Sequence, residues 1–263
     1  MEHGQTKHGG RDRRRADIVR QSRNRARCGD GWIAVVALLL LSLLIVDSNF
    51  GTAFAHGIGG RDAAFVAATK GPDLMPFIYL GAKHMVTGYD HLLFIFGVIF
   101  FLYRMKDVVI YVTLFSIGHS ITLLAGVLLK FEINSYLVDA VIGLSVAYKA
   151  FDNLGGFKSI FGVQPNNKVA VGSFGLIHGL GLATKLQALR LNGNGLVVNM
   201  LGFNVGVEIG QLIALVVFLV VMLQWRRTAS FERFAVAANA LILTAGFMLM
   251  EYQLAAYFSA GKV

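Results

Sequence analysis

Beyond its first 31 residues the chain alternates long apolar runs with short polar breaks, and several runs reach the roughly 20 residues that cross a bilayer's hydrocarbon core. The first run, Ile33–Val46, follows a polar, Arg-rich stretch and leads through Asp47-Ser48-Asn49 to the small-residue exit Ala53-Phe54-Ala55. A basic start, a short apolar core and an Ala-x-Ala exit predict a signal peptide cleaved before His56; the alternative is an uncleaved first helix. A polar, Gly-containing link over 56–73 then leads to six predicted helices. These are Leu74–Tyr103, with a break near Gly88, then Val108–Leu129, Ser135–Phe151, Val169–Leu189, Leu196–Trp225 and Phe231–Phe258. The expected fold is all-α: a polytopic membrane helix bundle of about six transmembrane helices after a cleavable signal peptide, or seven if the leader is retained. The expected domains are a disordered basic leader (1–31), the signal-peptide core and cleavage region (32–55), a periplasmic link (56–73) and a six-helix transmembrane domain (74–263).

Composition narrows the class. Of 263 residues 56% are hydrophobic and only 15% charged, which excludes an ordinary soluble domain. The formal net charge is +9, but residues 1–31 hold nine Lys/Arg against four Asp/Glu and so carry over half of that excess. The rest lies at loop ends, where Arg104/Lys106, Lys149/Lys158/Lys168 and Arg226/Arg227/Arg233 suit the cytoplasmic side of a bacterial inner membrane, with the mature N-terminus periplasmic. That distribution argues for a lipid bilayer as partner and against nucleic acid. Cys28 is the single cysteine, so a metal would be held by nitrogen, oxygen or thioether donors. No nucleotide-binding motif is present, which argues against direct ATP drive by this chain.

Ionisable groups inside a membrane span are costly, and each is by default a candidate functional site with a partner. His84, Asp90 and His91 fall together in GAKHMVTGYDHLLF. On one continuous helix His84 and His91 share a face while Asp90 points about 100° from His91; a turn loosened at Gly88 would let all three converge. Neutral imidazole with carboxylate suits Ni²⁺, Co²⁺, Zn²⁺ or Cu²⁺ far better than Mg²⁺ or Ca²⁺. His119 lies in mid-span in FSIGHSITL, with Ser116 and Ser120 as supporting polar neighbours that serve their own backbone or an adjacent helix. His178 in FGLIHGLGLA is flanked by Gly175 and Gly179, whose spacing lets a neighbouring helix approach closely. Asn204, Glu208 and Gln211 form one polar stripe, and Gly202, Gly206 and Gly210 a second along which a partner helix can pack. Glu208 would serve as metal ligand, proton carrier or counter-charge, or else as a helix–helix clasp. Asp139, near the start of its predicted helix, is expected to be structural through the helix dipole. If Ala55 ends the leader, His56 becomes the mature N-terminus, whose α-amine and imidazole could chelate a metal together.

The strings GAKHMVTGYDHLLF, FSIGHSITL, FGLIHGLGLA and FNVGVEIGQL resemble the HupE/UreJ family of bacterial membrane proteins, in its second branch, over about Leu74 to Tyr257. The resemblance implies a nickel or cobalt permease associated with hydrogenase and urease maturation, with a cleaved leader and about six spans. The family's His-x5-Asp-His motif is carried by His84, Asp90 and His91, which match the residues implicated in metal transport in the better-studied branch. The better-studied branch has two histidines in a later motif where this chain has His178 followed by Gly179-Leu180-Gly181.

Together these readings predict a transporter, not an enzyme: a permease for a divalent transition metal, nickel or cobalt first and copper or zinc by the same donors. Its metal path would be His84, Asp90, His91, His119, His178 and Glu208. The alternatives are an intramembrane metalloenzyme with Glu208 or Asp90 as base, and an accessory subunit delivering metal to a membrane or metalloenzyme-maturation partner. Because the ligands bind metal deprotonated, uptake is expected to fall as external pH drops through the histidine range.

Overall fold

A computed structural model describes residues 60–188 and 193–260. The proposed leader, its cleavage site and His56 lie outside them. Among the described residues the regular structure is helical: α1 (Gly60–Ala68), α2 (Leu74–Thr87), α3 (Tyr89–Ile99), α4 (Met105–Leu129), α5 (Ser135–Asn153), α6 (Asn167–Ala188), α7 (Leu196–Trp225) and α8 (Ala229–Ala260), with a π-helical turn at Phe157–Phe161. Four helices, α4, α6, α7 and α8, are long and apolar enough to cross a membrane.

The helix ends follow from local chemistry. Asn134 caps α5, its side-chain oxygen accepting from Tyr136 N at 3.0 Å and Leu137 N at 3.4 Å. α4 stops at Lys130, whose left-handed backbone (φ 55°) turns its N–H back to the Gly126 carbonyl. Gly88 ends one helix and begins the next: it donates to His84 O at 2.9 Å and accepts from Leu92 N at 3.0 Å, with an extended ψ of 98° between. The break expected near Gly88 is present, and the long first segment is two helices. Within the link read over 56–73 lies α1, which buries Val66 and rests Phe65 on Phe77 of α2.

Three helix pairs make the closest crossings: α2 with α7, α4 with α6, and α5 with α8. Glycines explain why. A Cβ on Gly81 would strike the Phe203 carbonyl, and one on Gly206 the Ile78 carbonyl, so α2 and α7 touch backbone to backbone. Gly175 faces the Phe115 backbone and Gly179 the His119 carbonyl across α4/α6, while Gly143 faces Met250 N and Gly246 faces Ala147 N across α5/α8. In a bilayer, where apolar side chains gain nothing by leaving lipid for protein, such close packing holds helices together. The Gly202–Gly206–Gly210 stripe thus meets α2, and the glycines around His178 meet α4.

The short helix α3 touches α2, α4, α5, α7 and α8. It is about 16 Å long at 1.5 Å per residue, roughly half a bilayer, and it buries seven of its residues, Asp90 and His91 among them. Its exposed C-terminal carbonyls are met by Arg226 from the end of α7, whose guanidinium donates to Ile99 O, Phe100 O and Leu102 O at 2.5, 2.7 and 2.9 Å.

A candidate metal path lined by imidazoles

Four helices each bring one imidazole to the interior: His84 at the end of α2, His91 in the first turn of α3, His119 in α4 and His178 in α6. The His91 ring is the hub, with centroids 5.3 Å from His84, 5.7 Å from His119 and 4.7 Å from His178. His91, His119 and His178 are buried, and His84 is half-buried. The break at Gly88 makes this convergence workable. A Cβ there would stand 3.1 Å from His91 Nδ1 and from His84 O and 3.2 Å from Asp90 Oδ1, crowding the residues the break brings together.

The hydrogen bonds fix which nitrogens are free. Asp90 Oδ1 lies 2.9 Å from His91 Nδ1 and also accepts the His91 backbone N–H at 2.8 Å. A carboxylate only accepts, so Nδ1 carries a proton; Nε2 is buried without a partner and in the neutral ring keeps a bare lone pair. The Ser145 hydroxyl donates to Ile142 O at 2.6 Å, so at its 3.1 Å contact with His178 Nε2 it must accept. His178 is then protonated on Nε2 and bare on Nδ1, which also has no partner. Both ring nitrogens of His119 and Nε2 of His84 are likewise buried without hydrogen bonds. Neutral imidazoles oriented by a carboxylate or hydroxyl, with the opposite nitrogen open, are the arrangement metal-binding histidines use.

The rings touch one another rather than enclose a common point, and among the described residues no three His, Cys, Asp or Glu side chains form a closed metal-holding group. Phenylalanines wall the cluster: Phe94 and Phe115 lie 5.3 and 5.0 Å from His178, Phe174 lies behind Phe94, and Phe203 lies 6.1 Å from His84.

Glu208 stands apart. Its Oε2 is 3.0 Å from the Ser116 hydroxyl, which is also 3.0 Å from Gln211 Oε1, and Gln211 donates to Val112 O at 3.4 Å. Among the described residues no hydrogen bond or ring contact joins Glu208 to an imidazole, so the stripe on α7 clasps α4 three residues from His119. Asn204 is buried with neither side-chain polar atom bonded, and Ser120 is half-buried beside His119.

Residues that the sequence pattern did not single out also matter. Ser145 sets the His178 tautomer, yet it is one serine in the apolar run IGLSVAYKA, and its only signal was lying one turn before Lys149. Further toward that end of α5, Asp152 gathers Lys149 Nζ (2.5 Å), Gln164 (2.6 Å) and Asn167 (2.9 Å), which orders the glycine- and asparagine-rich connection into α6.

The described residues form an all-helical protein with helices apolar enough to span a membrane, and its interior is lined by four imidazoles, two of them oriented by hydrogen bonds. The chain belongs to the HupE / UreJ protein family, whose model matches residues 60–260. Comparisons with curated proteins and with solved structures give no match.

Proposed function

We propose that the protein is a permease for a divalent transition metal in a bacterial cytoplasmic membrane, with nickel or cobalt as the favoured cargo. The observation that carries this reading is the pair of bare nitrogens, His91 Nε2 and His178 Nδ1, locked in tautomer by Asp90 and Ser145, in rings 4.7 Å apart. Neutral nitrogen donors arrayed one after another suit an ion that is passed along, and they favour nickel, cobalt, copper or zinc over calcium or magnesium.

The broken helix α2/α3 supports the same reading. Discontinuous helices that start inside the membrane are the usual way transporters place binding groups at mid-depth. The N-terminus of α3 would bring the positive end of a helix dipole to a cation path, and Asp90 in its first turn offsets that charge. Membership of the HupE / UreJ family and the positive-inside pattern of the loops are consistent with this function and orientation. With the start of α2 on the outer side, the ion would reach His84 first and leave past the phenylalanine wall.

The test is uptake of labelled nickel, cobalt or copper by cells expressing the full chain or its His91→Ala variant at matched levels. Uptake that is selective among the three metals and lost in the variant is the expected result. Equal uptake by the two proteins would refute the reading.

A further inference from the structure

Two charged side chains lie just beyond the imidazoles without a part in the path described so far. Asp139 on α5 and Lys185 on α6 pair at 2.9 Å through Asp139 Oδ2, with side chains 10% and 20% exposed. The other oxygen of this carboxylate, Oδ1, is buried and has no hydrogen-bond partner. It lies against Gly181, where a Cβ would stand 2.7 Å from the Ile142 side chain and 3.3 Å from Oδ1. Gly181 is three residues past His178, about 4.5 Å along α6, and Asp139 is six residues before Ser145, which holds His178. Along the helix axes the carboxylate is therefore about 4.5 to 9 Å from the level of His178, one to two turns toward the same end.

Stability alone explains this pair poorly. A buried ion pair is often no better than apolar residues of the same volume, and a carboxylate oxygen left unbonded away from water adds a further cost. A buried, anionic donor with one oxygen left unbonded is what a divalent cation would satisfy. We propose that Asp139 is a further ligand on the cation path, taking the ion through Oδ1 and handing it to His178, while the Lys185 ammonium is the tethered cation that the ion displaces. On the orientation given by the loop charges the pair lies at the outer side of the imidazoles, so the carboxylate meets the ion before His178 does. This inference rests on the permease reading and adds to it a residue and a built-in competitor.

The experiment measures KM for labelled-nickel uptake in cells expressing the full chain, together with the melting temperature of the purified protein. The variants are His91→Ala, Asp139→Asn, Lys185→Gln and the double variant Asp139→Asn/Lys185→Gln. The expected results are a KM raised about tenfold or more in Asp139→Asn, a lowered KM in Lys185→Gln, and a double variant that melts like wild type yet keeps the raised KM. Recovery of wild-type KM by the double variant would make the pair purely structural and overturn the proposal. So would a wild-type KM in Asp139→Asn while His91→Ala takes up no metal. Uptake by His91→Ala equal to wild type would instead bring down the permease reading itself.

Discussion

At the scale of single residues, the proposed permease function depends on which ring nitrogens are bare, and for His91 and His178 that choice is made by Asp90 and Ser145. Removing the Asp90 charge leaves a side chain that can still accept from His91 Nδ1 but no longer makes the ring more basic. Asp90→Asn is therefore expected to weaken metal handling about 10- to 100-fold, the usual cost of losing a supporting carboxylate. Ser145→Ala frees His178 to take the tautomer in which Nδ1 is protonated and blocked, and should raise the uptake KM while leaving the melting temperature near wild type. Uptake kinetics on the two variants check both; a Ser145→Ala protein with unchanged KM would remove the tautomer argument. The imidazoles and Asp90 were legible in the sequence because charge and nitrogen stand out in an apolar run. Ser145 was not, because a lone serine in a membrane helix satisfies its own backbone, as Ser145 also does with Ile142 O. Nor could the sequence show that Glu208 faces Ser116 and not the rings. A helical stripe gives a direction around its own axis but does not say which neighbour lies there.

At the scale of helices, the glycine crossings decide how near one another the site-bearing segments lie. Gly206 abuts the Ile78 carbonyl, so even one methyl must push α7 from α2, whereas a Cβ on Gly172 meets nothing within 4 Å. Gly206→Ala is expected to destabilise the purified protein by about 1–3 kcal/mol. Gly172→Ala should be neutral or stabilising, by up to about 1 kcal/mol of helix propensity. Thermal melts in detergent compare them, and an equal effect of both substitutions would mean that the close crossing is not what holds α2 to α7. Helix boundaries from Ser135 onward were legible because caps and polar breaks are local: Asn134 and the Arg226-Arg227 pair mark ends in the sequence itself. Helix α1 was hidden by the glycines at and just before its start and by Arg61-Asp62, which read as a linker. It is held by longer-range contacts, including the 2.7 Å pair of Asp62 with Lys83 on α2.

At the scale of the whole molecule, the pairing α2/α7, α4/α6 and α5/α8 joins segments far apart in sequence around α3, and periodicity along the chain carries no information about such partners. The loop charges do carry information, about sides. Lys158 lies in the connection between α5 and α6 together with the Asp152 network, and Asn194 lies in the turn before α7, bonded to Lys70 O at 3.3 Å beside the start of α2. One pass of α6 separates the two positions. The positive-inside rule then assigns Lys158 to the cytoplasm and Asn194 to the outside. The single native cysteine makes this testable: in a Cys28→Ser background, Asn194→Cys should react with a membrane-impermeant maleimide in intact spheroplasts, and Lys158→Cys only after permeabilisation. Reaction at both positions in intact spheroplasts would mean that α6 does not cross the membrane. Reversed labelling would turn the path over, place the Asp139–Lys185 end in the cytoplasm, and make the carboxylate the last donor the ion meets instead of the first.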